Sequence, residues 1–465
     1  MVSEAELSEA IGLTGHAVES FGIGGVLKAR IQDFRVEEIS KKITLDSKGR
    51  FTAANITLTN WETNRFIKKL ARACGISKNR IFFAGTKDKR AVTKQVFIID
   101  APQKAVASVE LPDVEIEVIG RTHQKLGFGN HKGNRFTIIA RGCCDKDGKP
   151  LSDKEAMEII SDIHSKMSMK LGTEIFPNWI GPQRFGAGRP VTPIVGRHVI
   201  TEQWEQAVMA YLSMEGNEKE DVAAFRKDIR DNGITPEALE NIPSWLGFER
   251  DILKHLVNVP GDWAGAFRKL PNNLQLMTVH ALQSVAFNRT IKARLDSGLS
   301  LAVPITGDVV GRIDDIGQLD TKSMITVEER TLPRISRNCL LNRLVVTGQL
   351  PGSTVMTPNG KPEEIEVKVL KDMGLDDADW QVEKIPRLST KGTRRPLVTT
   401  FKEFQFESVP IAGLETMGEK WLDGVQEGQR WHPEGACIRF RFTLPSGSYA
   451  TTLLREFMRV PLSQL

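Results

Sequence analysis

Two apolar runs, Ile81-Phe82-Phe83 and Val96-Phe97-Ile98-Ile99, bracket the stretch from Ala84 to Gln95 and constrain what this part of the chain can become. Both read as short buried strands, so the residues between them form a connecting loop. That loop holds one carboxylate, Asp88, among Lys87, Lys89, Arg90 and Lys94, and the cations suit it to act as an anion. A lone aspartate in such a ring fits nucleophilic attack or electrostatic stabilisation better than metal binding, which asks for more carboxylates. The same pattern also describes a solvated basic loop whose aspartate pairs with a neighbour. Spacing alone favours that plainer reading.

Charge distribution adds weight to the loop. The chain is net +5, yet residues 61 to 95 hold ten Lys/Arg against Glu62 and Asp88, so the remainder is net acidic. Basic charge gathered around one carboxylate is the footprint of a polyanion-binding surface, a solvated helix face being the alternative. The adjacent Cys143-Cys144, and the other cysteines Cys74, Cys339 and Cys437, make no Cys-x-x-Cys pair and read as reduced thiols. His123 and His131 bring no ligand spacing, which favours a structural or RNA-facing role over a metal. No glycine-rich loop opening a helix and no P-loop occurs, so neither a metal nor a cofactor is expected. No apolar run approaches the ~20 residues of a membrane span. The acidic start, Met1-Val2-Ser3-Glu4-Ala5-Glu6, lacks signal-peptide order. A cytoplasmic protein without membrane contact is the expectation.

At 465 residues the chain should form two or three domains. Phe34, Val36 and Ile39 roughly alternate with charge, and Asn55 to Thr59 continue a strand pattern. Thr59-Asn60-Trp61-Glu62 fits a capping box with Thr59 as N-cap. The helix that follows turns Phe66, Ile67, Leu70, Ala71 and Cys74 inward, shows Arg65, Lys68, Lys69 and Arg72 outward, and stops at Gly75. Val114, Ile116 and Val118 alternate with glutamates on a half-solvated strand. Arg121 to Asn134 reads as a basic, glycine-rich loop that could approach a phosphate backbone. Ser152 and Glu155 form a second capping box, whose helix ends at Gly172. Residues 200 to 297 are mostly helical, with Thr235-Pro236 as an N-cap pair, and 302 to 370 turn β-rich. Near the end, Ile438, Phe440 and Phe442 mark a strand, and Ser448 can cap a final helix.

Five stretches carry a family likeness in one order. They are Leu27-Lys28 with Asp33-Phe34-Arg35-Val36-Glu37, then Ala84 to Thr93, then Gly133-Asn134-Arg135-Phe136. Asn178-Trp179-Ile180-Gly181-Pro182-Gln183-Arg184-Phe185-Gly186 follows, and Leu444 to Thr451 completes the set. Together they resemble the TruD family of pseudouridine synthases across nearly the whole chain.

The resemblance implies a mixed-sheet α/β (α+β) catalytic domain made of residues 1–177 and 391–465. An inserted α/β domain at 178–390 would form the other wall of an RNA cleft. It implies an isomerase that converts uridine to pseudouridine in tRNA, with Asp88 as the catalytic carboxylate, acting at the sugar as nucleophile or proton acceptor. Phe136 would stack on the uracil, Asn134 would hydrogen-bond in the site, and Lys28 and Phe34 would line the cleft. Lys87 and Arg90 join the substrate-binding set. Arg184, with Gln183 and Phe185, falls at the domain junction, where a hinge role is the default and orienting the Asp88 loop or clamping RNA are the alternatives. Many relatives carry an aromatic where this chain has Ile180, so no stacking is expected there. The long insertion points to the archaeal or eukaryotic branch, whose usual target is uridine 13 of tRNA. No protein partner is implied. The rival reading is a non-catalytic RNA-binding protein with the same basic surface, which Asp88 opposes because a pure binder gains nothing from an anion facing phosphates. A methyltransferase is weakened by the missing cofactor loop.

Overall fold

A computed structural model describes residues 4–186, 189–314 and 317–465; Met1-Val2-Ser3 of the acidic start lie outside them. The chain divides into two compact units. One comprises Val18–Phe176 and Thr399–Leu465 with the described residues of 314–318. The other comprises the segment ending at Ala17, Pro177–Ile313 and Leu319–Val398.

The first unit is built on one mixed sheet. Its strands are β1 (Gly24–Val26), β2 (Phe34–Ser40), β3 (Phe51–Thr59), β4 (Ile81–Phe83), β5 (Val92–Ile99), β6 (Val114–Thr122) and β7 (His131–Cys143). The excursion into the second unit carries β8 (Val309–Ile313), β9 (Leu319–Thr326), β10 (Leu344–Leu350) and β11 (Thr393–Pro396), before β12 (Lys402–Val409) and β13 (Cys437–Pro445) return to the sheet. The main order is β12-β13-β7-β2-β5-β3-β6, with β1 beside β7 and β4 beside β5. β2 and β5 run parallel, while their other neighbours are antiparallel.

Alternation sets the two faces. In β2, Phe34, Val36 and Glu38 are buried while Arg35 and Glu37 are exposed. The outward row continues through Lys94, Glu115, Arg135 and Thr137 into an open, charged groove. The inward face is covered at one end by α1 (Thr63–Ala73), which seats Phe66, Ile67 and Leu70 on Ile56, Leu58 and Phe97. Each such side chain contributes about 1.5–3 kcal/mol by leaving water. At the other end α2 (Asp153–Leu171) and, later in the chain, a helix at Ala450–Met458 bring His164 and Phe457 against Phe404, both rings at 5.2 Å.

Helix ends follow local chemistry, with two corrections. The Ser152–Glu155 capping box and the Thr235 cap form as read from sequence. Thr59, however, stays in β3, and Glu62 itself caps α1 by accepting from the backbone N–H groups of Asn64 and Arg65. Ser448 bonds the Thr399 hydroxyl at 2.9 Å, and Tyr449 occupies the N-cap of the last helix without a side-chain bond. His131 to Asn134 also belong to β7 and not to a loop, because they pair with β2 and β13.

In the second unit the long helix α3 (Asn272–Asp296) is buried along most of its length. It packs on the helix Val191–Ile200, where a Cβ on Gly196 would collide with the Thr278 carbonyl oxygen. Only glycine permits that approach. β8 to β11 form a separate four-stranded sheet in the order β9-β8-β10-β11. The unit limits differ from the sequence expectation at both ends. The segment through Ala17 joins this unit, because Asn288 of α3 donates to Ile11 O at 3.0 Å. Lys391 to Pro396 do not mark the return, since Thr393–Pro396 pair with β10 and Arg394 is buried against Glu366 at 2.7 Å.

Candidate active site

Asp88 lies on the stretch between β4 and β5, and its carboxylate meets Lys28 at 3.3 Å. Lys28 adopts φ 55°, a left-handed backbone that lysine rarely takes and that clusters at functional positions. Its ammonium also stands 4.5 Å from the centroid of the Phe34 ring. Phe34 meets Phe136 edge-on at 6.4 Å, and Phe136 stacks on Phe442 at 5.4 Å. One chain of contacts therefore joins Asp88, Lys28, Phe34 and Phe136.

The other cations of the loop do not simply ring the carboxylate. Lys87 is buried and bonds Glu38 at 2.7 Å, while its backbone N–H donates to the Thr63 hydroxyl. Arg90 donates to the Lys28 and Ala29 carbonyls at 2.9 and 3.0 Å. It staples the backbone that presents Lys28. Lys94 reaches Glu117 at 4.0 Å, on the outward face. The free-standing basic surface is instead α1, where Arg65, Lys68, Lys69 and Arg72 are all exposed.

Asn134 lies on β7 opposite Glu38 on one side and Leu444 on the other, two residues before Phe136. Its Oδ1 is buried without a hydrogen-bond partner, as are both ends of the Gln95 carboxamide and Nδ1 of His131. Burial first, and then the Lys87 charge, hold the His131 imidazole below the ordinary histidine range, against the pull of Glu38. Sequence reading missed Glu38 and Gln95 as site residues. The available signal was a polar side chain at the inward position of a strand, following Val36 in one case and Thr93 in the other.

Arg184 falls in the second unit, in a short turn at Pro182–Arg184, next to His280. Burial and, after it, Arg184 lower the His280 pKa. The adjacent Phe185 is fully buried, and its carbonyl accepts the Thr192 hydroxyl at 2.5 Å. Arg184 is thus not one of the residues gathered with Asp88 in the first unit. Ile180 is buried, and its backbone N–H donates to Asn288 Oδ1. Among the described residues, no group of three His, Cys, Asp or Glu is arranged to hold a metal ion, and no helix is long and apolar enough to cross a membrane.

The first unit thus brings one lysine-paired carboxylate to a group of phenyl rings in a mixed α/β fold. Residues 10–457 match the family described as tRNA pseudouridine synthase D (TruD). A Methanosarcina acetivorans protein named "Probable tRNA pseudouridine synthase D" is 34% identical over 99% of this chain and 98% of its own. A Halobacterium salinarum protein of the same name is 32% identical, covering 97% of each chain. The crystal structure of the "Putative tRNA pseudouridine synthase D (TruD)" from Methanosarcina mazei superposes with a TM-score of 0.83 at 32% identity, covering 99% of both chains. The chain belongs to the TruD family.

Proposed function

We propose that the protein isomerises uridine to pseudouridine in tRNA, with Asp88 as the reacting carboxylate. Substrate and product are isomers: the N1–C1′ bond breaks, a C5–C1′ bond forms, and the C5 proton is exchanged for one on N1. No electron is gained or lost overall. A carboxylate serves this reaction by attacking the sugar or by removing a sugar proton and stabilising the charge that develops. Lys28 orients that carboxylate and balances its charge, and Arg90 fixes the backbone carrying Lys28. The observation that carries the reading is the continuous contact from Asp88 through Lys28 and Phe34 to Phe136. It supports the reading because an anion and an aromatic ring linked in this way are what attack at the sugar and stacking of a flipped base would use.

The finer assignments are that uridine 13 is the target, that the cytoplasm is the setting, and that Val18–Phe176 with Thr399–Leu465 is the catalytic part. The exposed cations of α1 would track the tRNA backbone. Incubating the purified protein with unmodified tRNA transcripts and mapping pseudouridine tests this directly. New pseudouridine at position 13 is expected. A different position would correct the target, and tRNA binding without any pseudouridine would favour the non-catalytic RNA binder.

A further inference from the structure

We infer that Gln95, together with Asn134, holds the imide edge of the flipped uracil. The inference rests on the pseudouridine-synthase reading and assigns a residue to its base pocket.

Strand register places the parts. Asn134 pairs across β7 with Glu38, and Phe136 with Val36. Val36 lies beside Thr93 on β5 and Glu37 beside Lys94, so Gln95 shares the face of Thr93 and is next along β5. Two rows therefore cross the inward face. One runs Phe442, Phe136, Val36, Thr93, and the next runs Leu444, Asn134, Glu38, with Gln95 continuing it on β5 one step past the last paired position, Glu37–Lys94. Neighbouring strands are about 4.8 Å apart, and alternate residues along a strand about 6.8 Å. A flat ring lying on Phe136 thus projects one edge toward the second row.

That second row is chemically unfinished. Gln95 is 2% exposed, and neither its Nε2 nor its Oε1 has a partner. Asn134 Oδ1 is also buried without one. Glu38, between them, is occupied by Lys87. Buried carboxamides are ordinarily bonded, and each orphaned group carries a desolvation cost. The unmet set comprises one amide donor and two carbonyl acceptors. Uracil offers O4 and O2 as acceptors and N3–H as a donor. Breaking the glycosidic bond leaves the base as an anion whose charge is shared by N1, O2 and O4, and N1–H appears only once the C5–C1′ bond has formed and the C5 proton has been exchanged for one on N1. Gln95 can accept N3–H and donate to an adjacent carbonyl oxygen throughout, and Asn134 can accept N1–H of the product. The base would then be gripped along its edge while it turns, at the stage when no covalent bond retains it.

The test compares the native protein with Gln95→Met and Gln95→Glu, on tRNA carrying uridine or N3-methyluridine at the target. Gln95→Met should melt at or above the native temperature, because two orphaned polar atoms are removed. Its kcat/KM on uridine should fall roughly 10- to 100-fold, and its discrimination against N3-methyluridine should shrink by a similar factor. Gln95→Glu, which keeps the shape but loses the donor, should also lose turnover. A melting temperature lowered by several degrees in Gln95→Met would make Gln95 a structural residue and overturn the inference. Native-like turnover, or a loss with unchanged discrimination, would overturn it as well. A native protein that makes no pseudouridine would overturn the reaction assignment itself, a result distinct from an active enzyme whose Gln95 variants discriminate normally.

Discussion

Asn288 and Gln95 are both buried carboxamides, and the two units treat them in opposite ways. In the second unit Asn288 is fully buried, donates to Ile11 O and Ile180 O at 3.0 Å each, and accepts from Ile180 N at 2.9 Å. In the first unit Gln95 is as deeply buried and has no partner at either end. Charged groups follow the same division. Arg294 meets both oxygens of Asp308 at 2.6 and 2.7 Å, and Arg394 is shared between Glu366 and the Thr347 backbone. Near Asp88 the ion pair with Lys28 is longer and partly exposed. Asp33–Arg141 shows that the first unit saturates its own scaffold pairs too, with bonds of 2.9 and 2.7 Å. Orphaned buried atoms also occur elsewhere, as at Trp204 Nε1 and His164 Nε2, so the contrast is drawn between these two carboxamides. On the proposed reading Asn288 holds the fold, whereas Gln95 is kept unbonded at a cost for the base.

The largest effect on stability should come from the saturated side. Asn288→Leu leaves three backbone groups without partners, so about 3 kcal/mol or more should be lost, read as a lowered thermal midpoint. A loss below about 1 kcal/mol would break the comparison, because satisfied and orphaned amides would then matter equally.

On the site side, Phe136→Ala should lower turnover by about one to two orders of magnitude, the value of about 1–3 kcal/mol for a stacked base. Single-turnover rates on tRNA measure it, and parental kinetics would return Phe136 to the packing of Phe34 and Phe442. A smaller effect concerns α1. Replacing Arg65, Lys68, Lys69 and Arg72 with Gln should flatten the log–log salt dependence of tRNA binding by roughly 0.7–0.9 for each phosphate that is no longer neutralised. An unchanged slope would move the RNA surface elsewhere.

The smallest expected effect is on pH dependence. Burial and Lys87 lower the His131 pKa, so as pH falls below the ordinary histidine range the unfolded chain takes up a proton that the folded site resists. Stability should therefore fall as the solution is acidified through that range. His131→Gln should flatten this trend by at most about 1.4 kcal/mol per pH unit, with the similarly depressed His164 and His280 left in place. Identical profiles for native and variant would remove His131 from the unsatisfied set.

Much of this organisation is legible in the residues. The alternation in β2 and the apolar runs at β4 and β5 mark the strands, and the glycines after α1 and α2 mark the stops. The contact of Asp88 with Lys28 spans 60 residues of sequence, and only the family resemblance points to it. Periodicity does not separate the roles of the loop cations, since Lys87 faces Glu38 and Arg90 faces backbone by virtue of tertiary position. Thr59 resembles a cap because cap and strand end share the same residue types. Its ladder with β5 decides the outcome. Gln95 escapes a reading of the sequence because an inward glutamine looks like an interruption of an apolar strand until its neighbours are known.

One paired measurement tests the division between scaffold and site most directly: turnover and thermal midpoint for Asp88→Asn and Asp308→Asn. Asp88→Asn should lose pseudouridine formation to the detection limit while keeping its midpoint and its tRNA affinity, which can rise as an anion leaves a basic loop. Asp308→Asn should deprive the buried Arg294 of its counter-charge and of one of its two carboxylate acceptors, lower the midpoint by the equivalent of about 3–5 kcal/mol, and leave the chemistry of the folded fraction intact. An Asp88→Asn protein that isomerises uridine at the parental rate would contradict the account.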